Sequence, residues 1–290
     1  MAALKKTSDN ACVTKTHQFI KKMSDWNKLL RCYTQNIDDL DDRAGLYAGF
    51  DSKADVVKMH GDLNTVKCTL CSHSQESDPS ILSIFDSGEA PACPRCFEIA
   101  SNREKLGKRA VNIGTLRPNI VLYDEHHAKG ELIADLQNSD LKKKPDVLIV
   151  MGTSLKIVGV KRLIKAFAEP IKEKGGFVLY VNMNEASKEW ESTFNYQLIG
   201  TSDSACEKLW KRMDELQEIQ AQNKIKREKQ KEQRLLKKER EMAVVSSIEN
   251  HFKAVKCTPM LILDVEAIKK ESDKSKFDFS NHAATLEGNF

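Results

Sequence analysis

The first 44 residues contain no glycine, and no stretch of the chain has about 18 consecutive apolar residues. Glycine lets a backbone approach a phosphate group closely, so residues 1–44 hold no glycine-rich phosphate loop. A helix that crosses a membrane needs about 20 apolar residues. The N-terminus also lacks a charged-then-apolar leader of the secretory kind. We therefore expect an intracellular protein with no membrane partner.

The charge of the chain is nearly balanced, with a net value of +4. Residues 211–240 nevertheless hold 11 Lys/Arg against 6 Asp/Glu, and they lack glycine, proline and aromatic residues. This composition predicts a basic, solvated helix over residues 211–242, followed by a disordered tail over residues 243–290. Because the remaining charge is balanced, direct binding of nucleic acid is expected only through this helix.

Short apolar runs that end in polar or glycine-containing turns recur along the chain. They are KLLRCYT at 28–34, VVKMHG at 56–61, NIVLYDE at 119–125, DVLIVMGTS at 146–154 and GFVLYVN at 176–182. Near-continuous apolar runs are typical of parallel strands that are covered on both faces. Between the last two runs, residues 158–176 have helical apolar spacing. This pattern predicts a doubly wound, mostly parallel Rossmann-like α/β fold over residues 1–61 and 117–210.

Four of the eight cysteines form two Cys-x2-Cys pairs that are separated by 21 residues. Four thiolates at such spacing are typical of a tetrahedral, structural Zn²⁺ site, which leaves no open position for water. The predicted ligands are Cys68, Cys71, Cys93 and Cys96. They lie in residues 62–116, which we predict to form a small inserted lobe. The other cysteines are expected to be core or surface thiols, and His73 is a weaker alternative ligand.

Polar side chains gather where predicted strands end. Gln35, Asn36 and Asp38 follow the first run, His60 follows the second, and a Gly-Thr-Ser corner at 152–154 follows the fourth. A buried amide or carboxylate without a partner costs about 1–3 kcal/mol, so these groups either pair with one another or face a ligand. Taken alone, a histidine in such a place is more often structural, and a lone Gly-Thr-Ser corner is weak evidence of phosphate binding.

The order of these motifs is more specific than any one of them. YTQNID at 33–38, HG at 60–61, the paired cysteine knuckles, LRPNIVLYDE at 116–125, MGTSL at 151–155 and VNMNE at 181–185 follow one another along the chain. Together they resemble the sirtuin family of NAD-dependent protein deacylases, over roughly residues 14–210. Within that family, the chain is most similar to the nuclear branch that deacetylates histones.

The resemblance implies NAD as cofactor, one structural zinc ion and an acetyl-lysine protein, such as a histone, as substrate in the nucleus. It implies that nicotinamide is released and that the acetyl group passes to ADP-ribose, with His60 as general base and Asn36 beside the reacting ribose. It assigns NAD to Gln35, Asn36, Ile37, Asp38, Gly152, Thr153, Ser154, Asn182, Glu185 and Ser202. It assigns pairing with the substrate peptide, as an added strand, to Val121, Leu122 and Tyr123.

The sequence departs from the family pattern at one place. Sirtuins carry a glycine-rich loop before the segment that resembles residues 14–210, and residues 1–44 contain no such loop. Two interpretations stay open: a truncated product of a deacetylase gene, or a short form that grips NAD poorly and acts as a protein-binding or regulatory module. A mono-ADP-ribosyltransferase would use the same chemistry at the ribose.

Asp124 replaces a usual glycine of the peptide-binding strand and predicts a preference for basic flanking residues. A zinc ribbon for nucleic acid is a weaker interpretation of residues 62–116, which lack interleaved basic and aromatic residues.

Overall fold

The computed structural model describes residues 2–122 and 125–254, and the chain divides into two compact units, residues 1–218 and 219–290. The helices are α1 Ala2–Asn10, α2 Lys15–Asp25, α3 Leu40–Arg43, α4 Pro79–Asp86, α5 Pro94–Lys105, α6 Gly130–Lys142, α7 Val158–Glu173 and α8 Ser202–Ala254, with a 3-10 turn at Lys188–Trp190. The strands are β1 Cys32–Thr34, β2 Val56–Lys58, β3 Gly61–Cys68, β4 Ser74–Glu76, β5 Leu116–Ile120, β6 Val147–Met151, β7 Phe177–Asn182 and β8 Tyr196–Ile199.

The predicted parallel strands are present in the first unit. Strands β6, β7 and β8 form one parallel sheet in that order, and β1 pairs with β2 in parallel, with Cys32 opposite Val56. Helix α7 connects β6 to β7, as a parallel pair requires. It ends at Glu173, and Gly175 then takes a φ of +78°, which few other residues adopt. The Rossmann-like α/β fold predicted from the sequence is confirmed.

The largest core lies between this sheet and α7. Ile171 from α7 and Val178 from β7 are almost fully buried. Phe194 stacks between Trp190, at 5.2 Å between ring centroids, and Tyr180, at 4.8 Å. Burying one such apolar side chain stabilises a fold by about 1.5–3 kcal/mol. This core therefore holds the carboxyl ends of β6 and β7 in fixed positions.

The run at 119–125 was expected to be a strand of the parallel sheet, and this prediction is wrong. Strand β5 lies earlier, at Leu116–Ile120, and pairs antiparallel with β3 in a separate sheet of order β4-β3-β5. As an edge strand it accommodates Pro118, which has no N–H to donate to a ladder. The pairing of β5 with β3 could not be predicted from the sequence. A register shift between Gly61 and Val66 disturbs the alternation of buried and exposed residues in β3.

Helix α8 begins in the first unit and packs there against α2. The backbone N–H and the hydroxyl of Thr16 donate to Asp203 Oδ1 at 2.8 Å and 2.6 Å. Burial opposes ionisation of Asp203, but these bonds outweigh it and hold the pKa of Asp203 below its ordinary value. Lys22 lies over the Trp210 ring at 4.1 Å and donates to Asp214 at 2.6 Å. Asp203 thus caps the N-terminus of α2, and the cation–π and ionic contacts of Lys22 hold the start of α8 against that helix.

Helix α8 also continues further than expected. The sequence predicted a disordered tail from residue 243, but residues 243–254 are helical. The reason is that residues 241–254 contain no glycine or proline to end the helix. The rest of that predicted tail, residues 255–290, lies outside the described residues. In the ranges that the structure describes, no helix combines the length and apolarity needed to cross a bilayer.

Candidate functional site

The carboxyl ends of β1 and β6 meet through a hydrogen bond. Gln35 follows β1 and Thr153 follows β6, and Gln35 Nε2 donates to Thr153 Oγ1 at 2.8 Å. Thr153 is buried and Gln35 is half-buried. In open α/β sheets ligands bind outside the carboxyl ends of parallel strands, so this bond lies where a ligand site is expected.

His60 joins the same group from the end of β2. Its Nδ1 lies 3.2 Å from the carbonyl oxygen of Gln35. A carbonyl oxygen only accepts hydrogen bonds, so the bond requires a proton on Nδ1, and in the neutral imidazole the lone pair then lies on Nε2. Gly61, the next residue, has a φ of +79°, and a Cβ there would lie 2.0 Å from the carbonyl oxygen of Asn119. Only glycine fits, and its close approach fixes the backbone beside the imidazole.

A third set of bonds extends the group toward β7. The Tyr180 hydroxyl donates to the carbonyl oxygen of Thr153 at 3.1 Å and accepts from Asn182 Nδ2 at 2.7 Å. Burial raises the pKa of Tyr180, so its hydroxyl keeps the proton that it donates. We call His60, Gln35, Thr153, Tyr180 and Asn182 the strand-end network. Sequence reasoning missed Tyr180, although it is the one residue with a polar tip within the run FVLYV.

The rest of the Gln-Asn-Ile-Asp segment is held by its backbone. The Leu63 N–H donates to the carbonyl oxygen of Ile37 at 3.0 Å, and Lys58 Nζ donates to that of Asp38 at 2.9 Å. The Asp38 carboxylate accepts from the Leu40 N–H at 3.2 Å. The side chain of Asn36 is exposed beside these fixed groups. The segment is therefore anchored at both flanks, and the catalytic role of Asn36 stays a prediction.

The other residues assigned to NAD lie near the ends of β6, β7 and β8. Gly152 has a φ of +60° and donates its N–H to Val181, while Ser154 and Glu185 are exposed. Ser202 is the half-buried first residue of α8. Within residues 2–122 and 125–254, no hydrogen bond joins Ser154, Glu185 or Ser202 to the strand-end network.

The residues assigned to the substrate peptide follow β5. The Val121 N–H donates to the carbonyl oxygen of His60 at 2.9 Å, so that donor is already engaged. Leu122 is exposed, and its N–H donates to Glu125 at 3.1 Å. Tyr123 and Asp124 lie outside the described residues. The carbonyl oxygen of Leu122 is engaged too, because it accepts from the Glu125 N–H at 3.2 Å.

A buried carboxylate next to the Gln-Asn-Ile-Asp segment was not expected. Asp41 is 2% exposed, and its Oδ2 has no hydrogen-bond partner in the described part of the chain. Its other oxygen lies 4.0 Å from His17 Nε2. Burial raises the pKa of Asp41, and the positive charge of a protonated His17 would oppose that shift. In the sequence, Asp41 is one of four aspartates in DDLDD at 38–42, and nothing there sets it apart from the others.

The four predicted zinc ligands come together in the inserted lobe. The sulfur atoms of Cys68, Cys71, Cys93 and Cys96 all lie within 4.8 Å of one another. The Cys68–Cys96 and Cys71–Cys93 sulfur pairs are 3.8 Å and 3.7 Å apart. Zn–S bonds of about 2.3 Å in a tetrahedron place neighbouring sulfurs roughly 3.8 Å apart. The donor set and its spacing therefore fit one structural zinc ion.

The surroundings of the sulfurs support this assignment. The backbone N–H groups of Cys71 and Leu70 donate to Cys68 Sγ at 3.4 Å and 3.3 Å and lower the pKa of the Cys68 thiol to about 6, whereas burial raises the pKa of the Cys93 thiol. A thiolate is the form that binds a metal. A Cβ on Gly114 would lie 2.6 Å from Cys68 Sγ, so the backbone passes too close to the sulfurs for any other residue. The lobe is built closely around four sulfur ligands.

The fold and these two centres define a Rossmann-like α/β protein with an inserted four-cysteine lobe. Residues 1–159 match the Sir2 family, and the chain belongs to that family. It is 42% identical over 219 residues to the NAD-dependent histone deacetylase HST3 of Candida albicans, a match that covers 70% of this chain and 45% of that protein. It is 41% identical over 206 residues to the protein of the same name from Saccharomyces cerevisiae, with 66% and 46% covered.

The solved structures agree on the fold. A crystal structure described as a Sir2 homologue in complex with NAD is 25% identical, with a TM-score of 0.56, and the match covers 74% of this chain and 70% of that one. This chain spans less than half the length of the two HST3 proteins that it matches. The resemblance to sirtuins found in the sequence is confirmed.

Proposed function

We propose that this protein is an NAD-dependent protein-lysine deacetylase that acts on acetylated histones in the nucleus. One observation carries the proposal: in a chain of the Sir2 family, a histidine bonded through Nδ1 to the backbone of Gln35 is linked by the Gln35 side chain to the polar corner after β6. The names of the HST3 proteins support NAD as cosubstrate and histones as substrate. A histone substrate in turn supports a nuclear location.

Within this proposal, His60 and Gln35 have separate tasks. His60 Nε2 accepts a proton from a ribose hydroxyl, because Nδ1 is already committed to Gln35. Gln35 holds that imidazole in place and connects it to Thr153. Its backbone carbonyl accepts from His60 Nδ1, and its side-chain amide donates to the Thr153 hydroxyl. Bound NAD would supply an electrophilic ribose carbon and nicotinamide as leaving group. Asn36, Ile37 and Asp38 would lie against the nicotinamide ribose.

The corner after β6 and the end of β7 would hold the rest of the dinucleotide. We infer that Gly152, Thr153 and Ser154 meet the phosphate and adenosine ribose, and that Asn182, Glu185 and Ser202 lie beside the adenosine. We also infer that residues 1–61 and 117–210 form the nucleotide-binding domain, and that residues 62–116 form a lobe whose zinc ion is structural. Zinc in a four-sulfur site has no open position, so no step of the reaction passes through it.

The test is to incubate the full chain with NAD and an acetyl-lysine histone peptide, and to measure free nicotinamide and deacetylated peptide together. We expect equal amounts of both, only when the acetyl group is present. His60→Ala should abolish formation of the deacetylated peptide and leave the circular dichroism spectrum unchanged. The control His126→Ala removes an exposed histidine and should retain activity.

Three outcomes would contradict the proposal. Binding of NAD without nicotinamide release would indicate a binding or regulatory module. Release of nicotinamide with labelled ADP-ribose attached to protein would indicate an ADP-ribosyltransferase. Equal activity in the His60→Ala protein would show that the imidazole is not the base.

A further inference from the structure

The second unit presents a long exposed helix with an uneven distribution of charge. Every residue of α8 from 224 to 240 is exposed. These 17 residues include nine Lys/Arg and three Glu. In this segment of the described chain the only ion pair is Lys237 with Glu241, at 3.9 Å. The cationic groups are thus mostly left without a carboxylate neighbour.

The helical period separates the two signs of charge. At 3.6 residues per turn, Glu228, Glu232 and Glu239 fall within roughly 40° of the helix circumference. The nine Lys/Arg side chains cover the remaining side, over an arc of roughly 220° that runs from Lys229 to Lys224. We call this arc the basic face. The apolar residues of the segment, Ile225, Leu235 and Leu236, share the narrow side with the glutamates. A helix that only needed solubility would mix the two signs, as i,i+4 pairing favours.

We propose that the basic face of residues 224–240 binds duplex DNA through its phosphate groups. The major groove is about 12 Å wide, which admits an α-helix of about 10–12 Å diameter. A helix in the groove has a phosphate backbone on each flank, so it needs cations over more than half of its circumference. The basic face has that width, and the glutamate side would face out of the groove. The segment is about 24 Å long, which is shorter than one turn of the duplex.

Other polyanions fit this geometry less well. Single-stranded nucleic acid is held by aromatic side chains that stack on bases, and residues 211–240 contain none. An acidic protein surface would contact one flank of the helix and leave most of the basic face in water. Contacts to phosphate groups do not distinguish one base from another, so the binding should be independent of DNA sequence.

The test measures binding of the full chain to a fluorescent 20-base-pair duplex by anisotropy, between 50 mM and 200 mM salt. A charge-swap variant combines Lys226→Glu with Glu232→Lys and Lys237→Glu with Glu239→Lys. It keeps the composition and net charge but moves two cations off the basic face. We expect its affinity to fall at least tenfold and its salt slope to fall by about 2 or more. A control variant, Lys105→Gln, Lys108→Gln and Lys142→Gln, lowers the net charge at exposed positions in the first unit and should bind as the parent does.

Circular dichroism of the charge-swap variant checks that the helix is retained. The proposal is overturned if the parent does not bind the duplex at 50 mM salt, or if the charge-swap variant binds as tightly as the parent. It is also overturned if a single strand of equal length binds as tightly as the duplex. Displacement of the duplex by poly-glutamate at equal charge concentration would instead indicate an acidic protein partner. A change of duplex sequence should leave the affinity within about twofold.

Discussion

The side chain of Gln35 donates a hydrogen bond to the side chain of Thr153, at 2.8 Å, although 118 residues separate them in the chain. The bond joins the ends of two strands that belong to different parallel sheets. The backbone carbonyl of Gln35 also meets His60 Nδ1, so one residue contacts both the imidazole and the corner after β6. The bond between Gln35 and Thr153 is the contact on which the proposed active site depends.

Removal of the Thr153 hydroxyl should therefore weaken NAD binding as well as the fold. Thr153→Val keeps the shape of the side chain but leaves the Gln35 amide without its acceptor, which costs about 1–3 kcal/mol. We expect NAD affinity, measured by calorimetry, to fall by roughly 5- to 150-fold. Thr153→Ser keeps the hydroxyl and should stay within a few-fold of the parent. Equal losses in the two variants would show that the methyl group, and not the hydrogen bond, matters.

The sequence predicted the elements whose signal is local. Strands β6 and β7 with α7 between them follow from apolar runs and helical spacing, and the cysteine pairs identified the metal ligands from their spacing alone. What could not be read were contacts between distant polar residues. Nothing in the sequence marks Tyr180, which bridges two strand ends, or Asp41, which has an oxygen without a hydrogen-bond partner in the described residues. Both properties depend on neighbours that are distant in the chain and come close only in the fold. Strand β5 was misplaced because the partner of an edge strand is likewise non-local.

Gly61→Ala should be far more damaging than Gly88→Ala, although both glycines have similar positive φ values, +79° and +84°. At Gly88 a Cβ meets nothing within 4 Å, so only the backbone strain of about 1–2 kcal/mol applies. At Gly61 the Cβ would lie 2.0 Å from the carbonyl oxygen of Asn119, and the chain beside His60 must move. Thermal unfolding should rank the two variants. Similar melting temperatures would contradict the close approach seen at Gly61.

Zinc removal should unfold the inserted lobe and not merely slow a chemical step. The purified protein should contain one zinc ion per chain by elemental analysis, and Cys93→Ser should lose it, since Cys93 is fully buried among the four sulfurs. Without the metal, the lobe loses the ion around which its small core is built. Limited proteolysis should then cut within residues 62–116. Cys12→Ser, at an exposed cysteine, should keep both the zinc and the protease resistance. A Cys93→Ser protein with one tightly bound zinc would disprove the assignment.

A buried ion pair ties the start of β1 to α6, and its loss should be costly. Arg31 Nε donates to Asp140 Oδ2 at 2.8 Å, and the Tyr33 hydroxyl donates to the same oxygen at 2.8 Å. Asp140 is fully buried, so an uncharged replacement leaves Arg31 buried without a counter-charge. Breaking such a pair costs about 3–5 kcal/mol. Urea unfolding at pH 7 should show this loss for Asp140→Asn, while Asp135→Asn, at an exposed position of the same helix, should stay within about 0.5 kcal/mol of the parent.

The pH dependence of that difference gives a second check. Burial opposes ionisation of Asp140, but the bonds from Arg31 and Tyr33 outweigh it and lower the pKa of Asp140 below its ordinary value of 3.8. A carboxyl whose pKa is lower in the folded state stabilises the fold fully above the pKa of the unfolded chain, and this contribution is lost as the pH falls through the folded pKa. The gap in unfolding free energy between the parent and Asp140→Asn should therefore be constant from pH 7 to about 5 and shrink below about pH 4. Release of zinc in acid affects both proteins alike and cancels in the comparison. A gap that widens on acidification would mean that Asp140 is protonated in the native protein and that the ion pair does not exist.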